Sequence, residues 1–163
     1  MVQKQKILHY IKDITSQVEF WDKAYRNGDT PWDLGSPTPA FTDWVKTLKN
    51  KKKICVLGAG NGWDALNFAE KGHDVTAIDF APSAINNMRN FAKKKSICIT
   101  LLQRNIFDLG IEYKNYFDIV VEYTCFCAIN PQDREKYVKV VQQILSTFGL
   151  FVGILFPIEK KPI

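Results

Sequence analysis

Three glycines at alternate positions, Gly58, Gly60 and Gly62 in VLGAGNGWDA, follow an apolar run and open a helical pattern. Glycine there lets the backbone approach a ligand closely, and the start of the next helix offers unpaired N–H groups. Asp79 closes the next strand-like stretch, DVTAID, 21 positions after Gly58, where a carboxylate can accept both hydroxyls of a ribose. A tight strand-to-helix turn plus a surface aspartate is the plainer reading, yet position and order together fit a nucleoside site. A dinucleotide fingerprint, G-x-G-x-x-G, needs glycine at position 63 beside a pyrophosphate, and this chain has Trp63. NAD therefore fits badly. A second set of residues is aromatic: Trp21, Tyr25 and Trp32 precede the first strand, with Trp21 and Tyr25 one helical turn apart. Aromatic faces of this kind either attract a cation or form a stripe that packs a helix onto a sheet.

Positioning these residues takes an alternation of strands and helices. ICVLG (54–58), DVTAID (74–79), ICITLLQ (97–103), FDIVVEY (117–123) and LFVGILF (150–156) read as strands. Between them, residues 63–71, 82–94 and 133–147 carry helical spacing, the second opening with Pro82 and the third ending near Gly149. Continuous apolar strands separated by helices imply a parallel sheet covered on both faces. The expected fold is therefore α/β, a doubly wound, mostly parallel sheet of about five strands. Residues 4–13, 15–26 and 42–49 add short helices ahead of it.

Bulk properties narrow the class. A chain of 163 residues, 46% hydrophobic and 24% charged, suits one globular domain with its own core. The longest apolar run, 150–156, is too short to span a bilayer and the first residues are too polar for a secretion signal, which points to a cytoplasmic protein without membrane association. Cys55, Cys98, Cys125 and Cys127 lie in apolar surroundings without repeated C-x-x-C spacing, so buried reduced thiols are expected rather than a metal site or disulfides. The net charge of +5 comes largely from KTLKNKKK (46–53) and Lys93 to Lys95, placed before strands as solvated turns. No aromatic or arginine residues are interleaved with them, so no nucleic-acid partner is expected.

G-x-G-x-G resembles the first motif of class I S-adenosylmethionine (SAM) methyltransferases. VEFWDKAYRNGDTPWDLGSPTP, VLGAGNGWDA, GHDVTAIDFAPSAI, RNIFDL and FDIVVEYTCFCAINPQDREKY, spread over positions 18–158, resemble the thiopurine S-methyltransferase superfamily, nearest to its thiol/halide methyltransferase branch. The resemblance implies one Rossmann-like methyltransferase domain over 1–163, with residues 1–50 forming a helical, aromatic lid and 51–163 the core. It implies SAM as cofactor, with Trp21, Tyr25 and Trp32 at its methionine end, a backbone contact from the Gly58–Gly60 turn, Asp79 on the ribose, and Asn105 and Ile106 on the adenine. Tyr123 and Trp32 would stand at the reaction centre. Asn105 departs from the aspartate common in class I enzymes, although an amide still pairs with an adenine edge. Glu122 is left between a pocket role and plain solvent exposure, and Arg134 is expected in a structural ion pair.

The implied reaction is methyl transfer to a small soft nucleophile: a thiol, hydrosulfide, halide or related chalcogen species. Charge is neutralised when a cationic donor meets an anion, so a dry pocket and good placement suffice without a histidine catalyst. His9 and His73 are accordingly read as bystanders. A thiol must still lose its proton, with Tyr123 orienting it. The ending FPIEKKPI stops where relatives continue into a further helix and two strands, so the last strand is expected to be an exposed apolar edge, either on a monomer or paired in a homodimer. A SAM-binding sensor or interaction protein without turnover is the alternative.

Overall fold

The computed structural model describes residues 14–155; the helix expected over 4–13, His9 and the closing FPIEKKPI lie outside them. Five strands form one parallel sheet in the order β3-β2-β1-β4-β5: β1 Lys53–Leu57, β2 Asp74–Asp79, β3 Thr100–Gln103, β4 Phe117–Tyr123 and β5 Leu145–Ile154. Four helices cover it or lie at its carboxyl end ahead of β4: α1 Val18–Asn27, α2 Pro39–Val45, α3 Trp63–Glu70 and α4 Pro82–Lys95. Two more, α5 Cys125–Ala128 and α6 Arg134–Ile144, follow it.

The period of two along each strand divides an apolar run between two cores. Ile54 and Val56 of β1, with Val75, Ala77, Ile119 and Val121, face Phe41, Leu66, Phe68 and Met88 from α2, α3 and α4. Cys55 and Leu57, with Ile78 and Val120, face Tyr137, Val140, Val141 and Ile144 on α6. Each Val, Leu, Ile, Phe or Met side chain among them, fully buried, contributes about 1.5–3 kcal/mol. Only Cys55 of the four cysteines is fully buried; Cys98 and Cys127 are exposed, because β3 begins at Thr100 rather than at Ile97 and Cys127 sits on the outer side of the short α5. All four are free thiols.

The helix expected over 133–147 ends at Ile144, and the chain passes directly into β5. Phe117 pairs with Leu145 and Ile119 with Leu150, so residues 146–149 bulge opposite Asp118 and leave Phe148 94% exposed. Thr147 and Phe148 suit a bulged strand better than a helix end. Among the described residues β5 is a sheet edge, carrying exposed Leu150 and Phe151. The helix expected over 42–49 starts earlier, at Pro39, whose fixed φ suits the first helical position. No helix among the described residues is long and apolar enough to cross a membrane.

The glycine turn leading into α3 is packed with little tolerance. Gly62 has φ 81°, and a Cβ there would collide with Met88 Cγ and Sδ in the core. Gly62→Ala is expected to cost about 2–5 kcal/mol, the sum of overpacking and left-handed backbone strain, measured by denaturant unfolding.

Candidate active site

After β1 the chain turns through Gly58 (φ 59°), Gly60 (φ 56°) and Gly62 into α3, three left-handed positions that glycine adopts without a steric penalty. The turn is touched from two sides. A Cβ on Gly58 would stand 2.7 Å from Cys125 Sγ, and one on Gly60 would stand 2.7 Å from the Tyr25 hydroxyl. The first contact comes from the start of α5, the second from α1.

Asp79 ends β2 and is buried; its Oδ2 accepts the Gly60 N–H and its Oδ1 the Ala81 N–H, both at 2.9 Å. Burial raises its pKa above the usual carboxylate range, while the N–H groups of Ala81, Gly60 and Phe80 oppose the shift. The carboxylate is thus held by the glycine turn itself, at the carboxyl end of the sheet where strand order reverses and ligands of such folds bind.

Over this turn lies an aromatic cluster. α1 stops at Gly28 (φ 70°), with the Asp29 N–H bonding back to the Ala24 carbonyl, and the chain then loops to bring Trp32 beside the helix. The Trp32 indole N–H donates to the Tyr25 hydroxyl at 3.2 Å, and Trp21 meets Trp32 edge to face at 5.1 Å. Burial is the largest cause pushing the Tyr25 phenol up, with Asp79 adding to it, so Tyr25 remains neutral. On the opposite wall β4 ends at Tyr123, followed by Thr124 at φ 64°, a left-handed conformation that a β-branched residue rarely adopts.

Tyr25, Trp32, Gly58, Gly60 and Tyr123 line one cavity together. Trp21 stands behind Trp32 and Asp79 behind Gly60, outside that lining. Asn105 is exposed and its Oδ1 accepts the Phe107 N–H at 3.0 Å, capping a 3-10 turn, while Ile106 is half-buried; neither lines the cavity. The cavity volume is about 60 Å³. Small-molecule sites are typically about 300–1,000 Å³, and here the Tyr25 phenol fills the mouth of the turn. The side chains suit a nucleoside carrying a cation: a carboxylate at the end of β2, bare backbone at Gly58 and Gly60, and aromatic faces above.

Several residues that hold the site have no signal in motif spacing. Asp33 Oδ1 accepts the Trp63 indole N–H and the Gly35 N–H, both at 2.7 Å, and its Oδ2 accepts the Asn61 amide. Asp64 accepts both the N–H and the hydroxyl of Thr38, at 2.7 and 2.8 Å. Asp22 accepts the Ser83 N–H at 2.8 Å, supplying the cap that Ala81 cannot give α4. Three aspartates thus tie the N-terminal segment to the core.

Two readings are corrected. Glu122 is neither in the pocket nor in solvent: it is fully buried on the opposite face of β4 from Tyr123, its Oε2 accepting the Phe126 N–H at 2.6 Å and its Oε1 without a partner. The cause is α5, whose first N–H groups need an acceptor. Arg134 donates to the Cys127 carbonyl at 3.5 Å and lies 5.1 Å from the Phe126 ring centroid, and the expected ion pair is not found among the described residues. His73 is buried and its Nδ1 accepts the Lys52 N–H at 3.2 Å, a structural role.

The sheet order and flanking helices are those of the class I methyltransferase fold. A chain from the structural study of the conversion of a disulfide bond into a thioacetal group during echinomycin biosynthesis superposes with a TM-score of 0.72 at 25% identity, covering 78% of this chain and 55% of that one. The 1,6-didemethyltoxoflavin-N1-methyltransferase of Burkholderia thailandensis, solved with S-adenosylhomocysteine, superposes with a TM-score of 0.67 at 20% identity, covering 80% and 57%, a likeness of fold. The profile of the thiopurine S-methyltransferase (TPMT) family matches residues 16–161, and this chain belongs to that family. A probable thiol methyltransferase 2 of Arabidopsis thaliana is 30% identical over 145 residues, and thiocyanate methyltransferase 1 of Brassica oleracea is 27% identical over 141. These alignments take in 86% and 85% of this chain but 63% and 62% of those proteins, so the chain spans under two thirds of their length.

Burial holds the pKa of Glu122 above its ordinary value, against the N–H groups of Phe126 and Cys125. The folded chain therefore binds this proton more tightly than the unfolded one, and the contribution to stability falls as pH rises from the ordinary glutamate range through the raised value. Glu122→Gln keeps an acceptor for Phe126 and removes the charge. Its unfolding free energy at pH 8 is expected to exceed that of the native chain by about 1–3 kcal/mol, the difference vanishing below pH ~4 in a pH series of urea melts.

Proposed function

We propose that this protein is a SAM-dependent methyltransferase acting on a small soft nucleophile: a thiol, hydrosulfide, halide or related chalcogen species. The observation that carries the reading is the aromatic pair Tyr25 and Trp32 closed over a glycine turn whose backbone is tied to a buried carboxylate, Asp79. The thiol and thiocyanate methyltransferases among the relatives support the choice of acceptor class.

SAM, when bound, supplies a methyl group on a cationic sulfur. Asp79 would release a backbone N–H to accept the ribose hydroxyls, and Asn105 and Ile106 would contact the adenine. The faces of Tyr25 and Trp32, backed by Trp21, favour a cation and exclude water. Gly58, whose missing side chain leaves room for Cys125, lines the cavity with Tyr123, whose hydroxyl would orient the acceptor. With charge neutralised at the transition state, alignment and a dry site supply the rate without a protein base.

Titration calorimetry with S-adenosylhomocysteine and a methylation assay over small thiols, hydrosulfide, iodide and thiocyanate test this. Binding heat and at least one methylated product are expected; a folded sample giving neither would overturn the reading. Asp79→Ala should weaken cofactor binding about tenfold to a hundredfold, and Trp32→Ala should lower kcat/KM about tenfold or more.

A further inference from the structure

The cavity over the glycine turn is partly open to solvent, but at about 60 Å³ it is too small for a nucleoside. Tyr25 and Trp32 must leave the glycine turn for a nucleoside to enter, so whatever fastens their segment to the turn sets how fast it opens. Trp32 is followed directly by Asp33, and the Asp33 carboxylate is the group through which this loop grips the core.

Its two catches are themselves held rigid. Asn61, inside the glycine turn, turns its amide oxygen to the Asn87 side chain of α4 at 2.9 Å, which leaves its amide N–H groups facing Asp33. Trp63, the first residue of α3, packs on Phe91 of α4 with ring centroids 4.6 Å apart and planes tilted by 33°, which aims its indole N–H at Asp33 Oδ1. The Gly35 N–H, also on Oδ1, keeps the carboxylate in one rotamer on the loop side. Ionised acceptors make such bonds about twice as strong as neutral pairs do. The flanking ties, Asp22 to the Ser83 N–H and Thr38 to Asp64, hold α1 and the start of α2, and leave the span carrying Trp32 to Asp33.

Resting on the cofactor reading above, we propose that Asp33 is a positioning residue: a latch that fastens the aromatic segment to Asn61 and Trp63 and thereby controls entry and release of the cofactor. Asp33, Asn61 and Trp63 stand in the wall of the same cavity, with their polar groups engaged with one another. Asp33 acts through Trp32 and, by the indole N–H, through Tyr25.

Stopped-flow binding of S-adenosylhomocysteine, read by tryptophan fluorescence, tests the latch with Asp33→Ala, Asp33→Asn and Trp63→Phe. Losing hydrogen bonds to a charged group should speed release from Asp33→Ala about tenfold to a hundredfold, with capture unchanged or faster. Asp33→Asn, which keeps one acceptor oxygen and guards against a folding failure, should fall between it and the native chain. Trp63→Phe keeps the ring on Phe91 but lacks the N–H, so release should speed severalfold, and combining it with Asp33→Ala should add nothing further. Release at the native rate from folded Asp33 variants would overturn the proposal, as would capture slowed in proportion, which marks a distorted pocket, or additive effects in the double variant. A native chain that binds no S-adenosylhomocysteine would instead sink the cofactor reading itself.

Discussion

The site depends on a topological constraint: β1 and β4 are parallel neighbours, but the chain leaving β1 runs to one side of the sheet and the chain leaving β4 to the other. Their loops part and open a crevice at the carboxyl ends. Its floor is narrow because Gly58 and Cys125 touch across it, and only glycine permits that approach. A crevice between diverging loops has walls and no roof. Everything from α1 to α2 is arranged to provide one, which explains why ten residues of α1 bury no side chain completely and still present Trp21 and Tyr25 inward.

A roof made of a loop needs attachments that survive contact with water, and burial of apolar surface alone gives no register. The chain uses aspartates. Asp22, Asp33 and Asp64 each receive backbone or side-chain donors across the boundary between segment and core. Burial costs such carboxylates part of their hydration, and Asp64, like Asp79 and Glu122, has a raised pKa for that reason. The expense is tolerable because each charge finds directed N–H or O–H partners, apart from Glu122, whose second oxygen has none.

The sheet was largely legible: DVTAID and FDIVVEY match β2 and β4 residue for residue, and the glycine turn and Asp79 fall where the spacing placed them. Elements whose ends depend on tertiary pairing were not. β5 begins at Leu145 because pairing with Phe117 overrides a helical pattern, and β3 is short because Ser96 takes a left-handed turn and Ile97 bonds back to Ala92. In the site, motifs pick out residues lining the cavity, such as Tyr25 and Gly60. Residues that hold those in place, such as Asn61 and Asp64, depend on which loops meet in space. Glu122 was misjudged for a related reason: a charged residue at a strand end reads as facing either a pocket or solvent until the helix above it is known to need an acceptor.

Trp63 joins the two kinds of information. In sequence it is a substitution, a large ring where a dinucleotide fold keeps glycine so that a helix can approach a pyrophosphate. In space the same ring fills the angle between α3 and α4 against Phe91, and its one polar atom reaches back to Asp33. The ring that departs from the dinucleotide pattern is therefore one of the donors that anchor the aromatic segment, beside the Asn61 amide. A glycine there would remove that donor and the packing on Phe91 while leaving the Asn61 bond to Asp33 in place. Position 63 thus couples the packing of α3 on α4 to the attachment of the loop that carries Trp32.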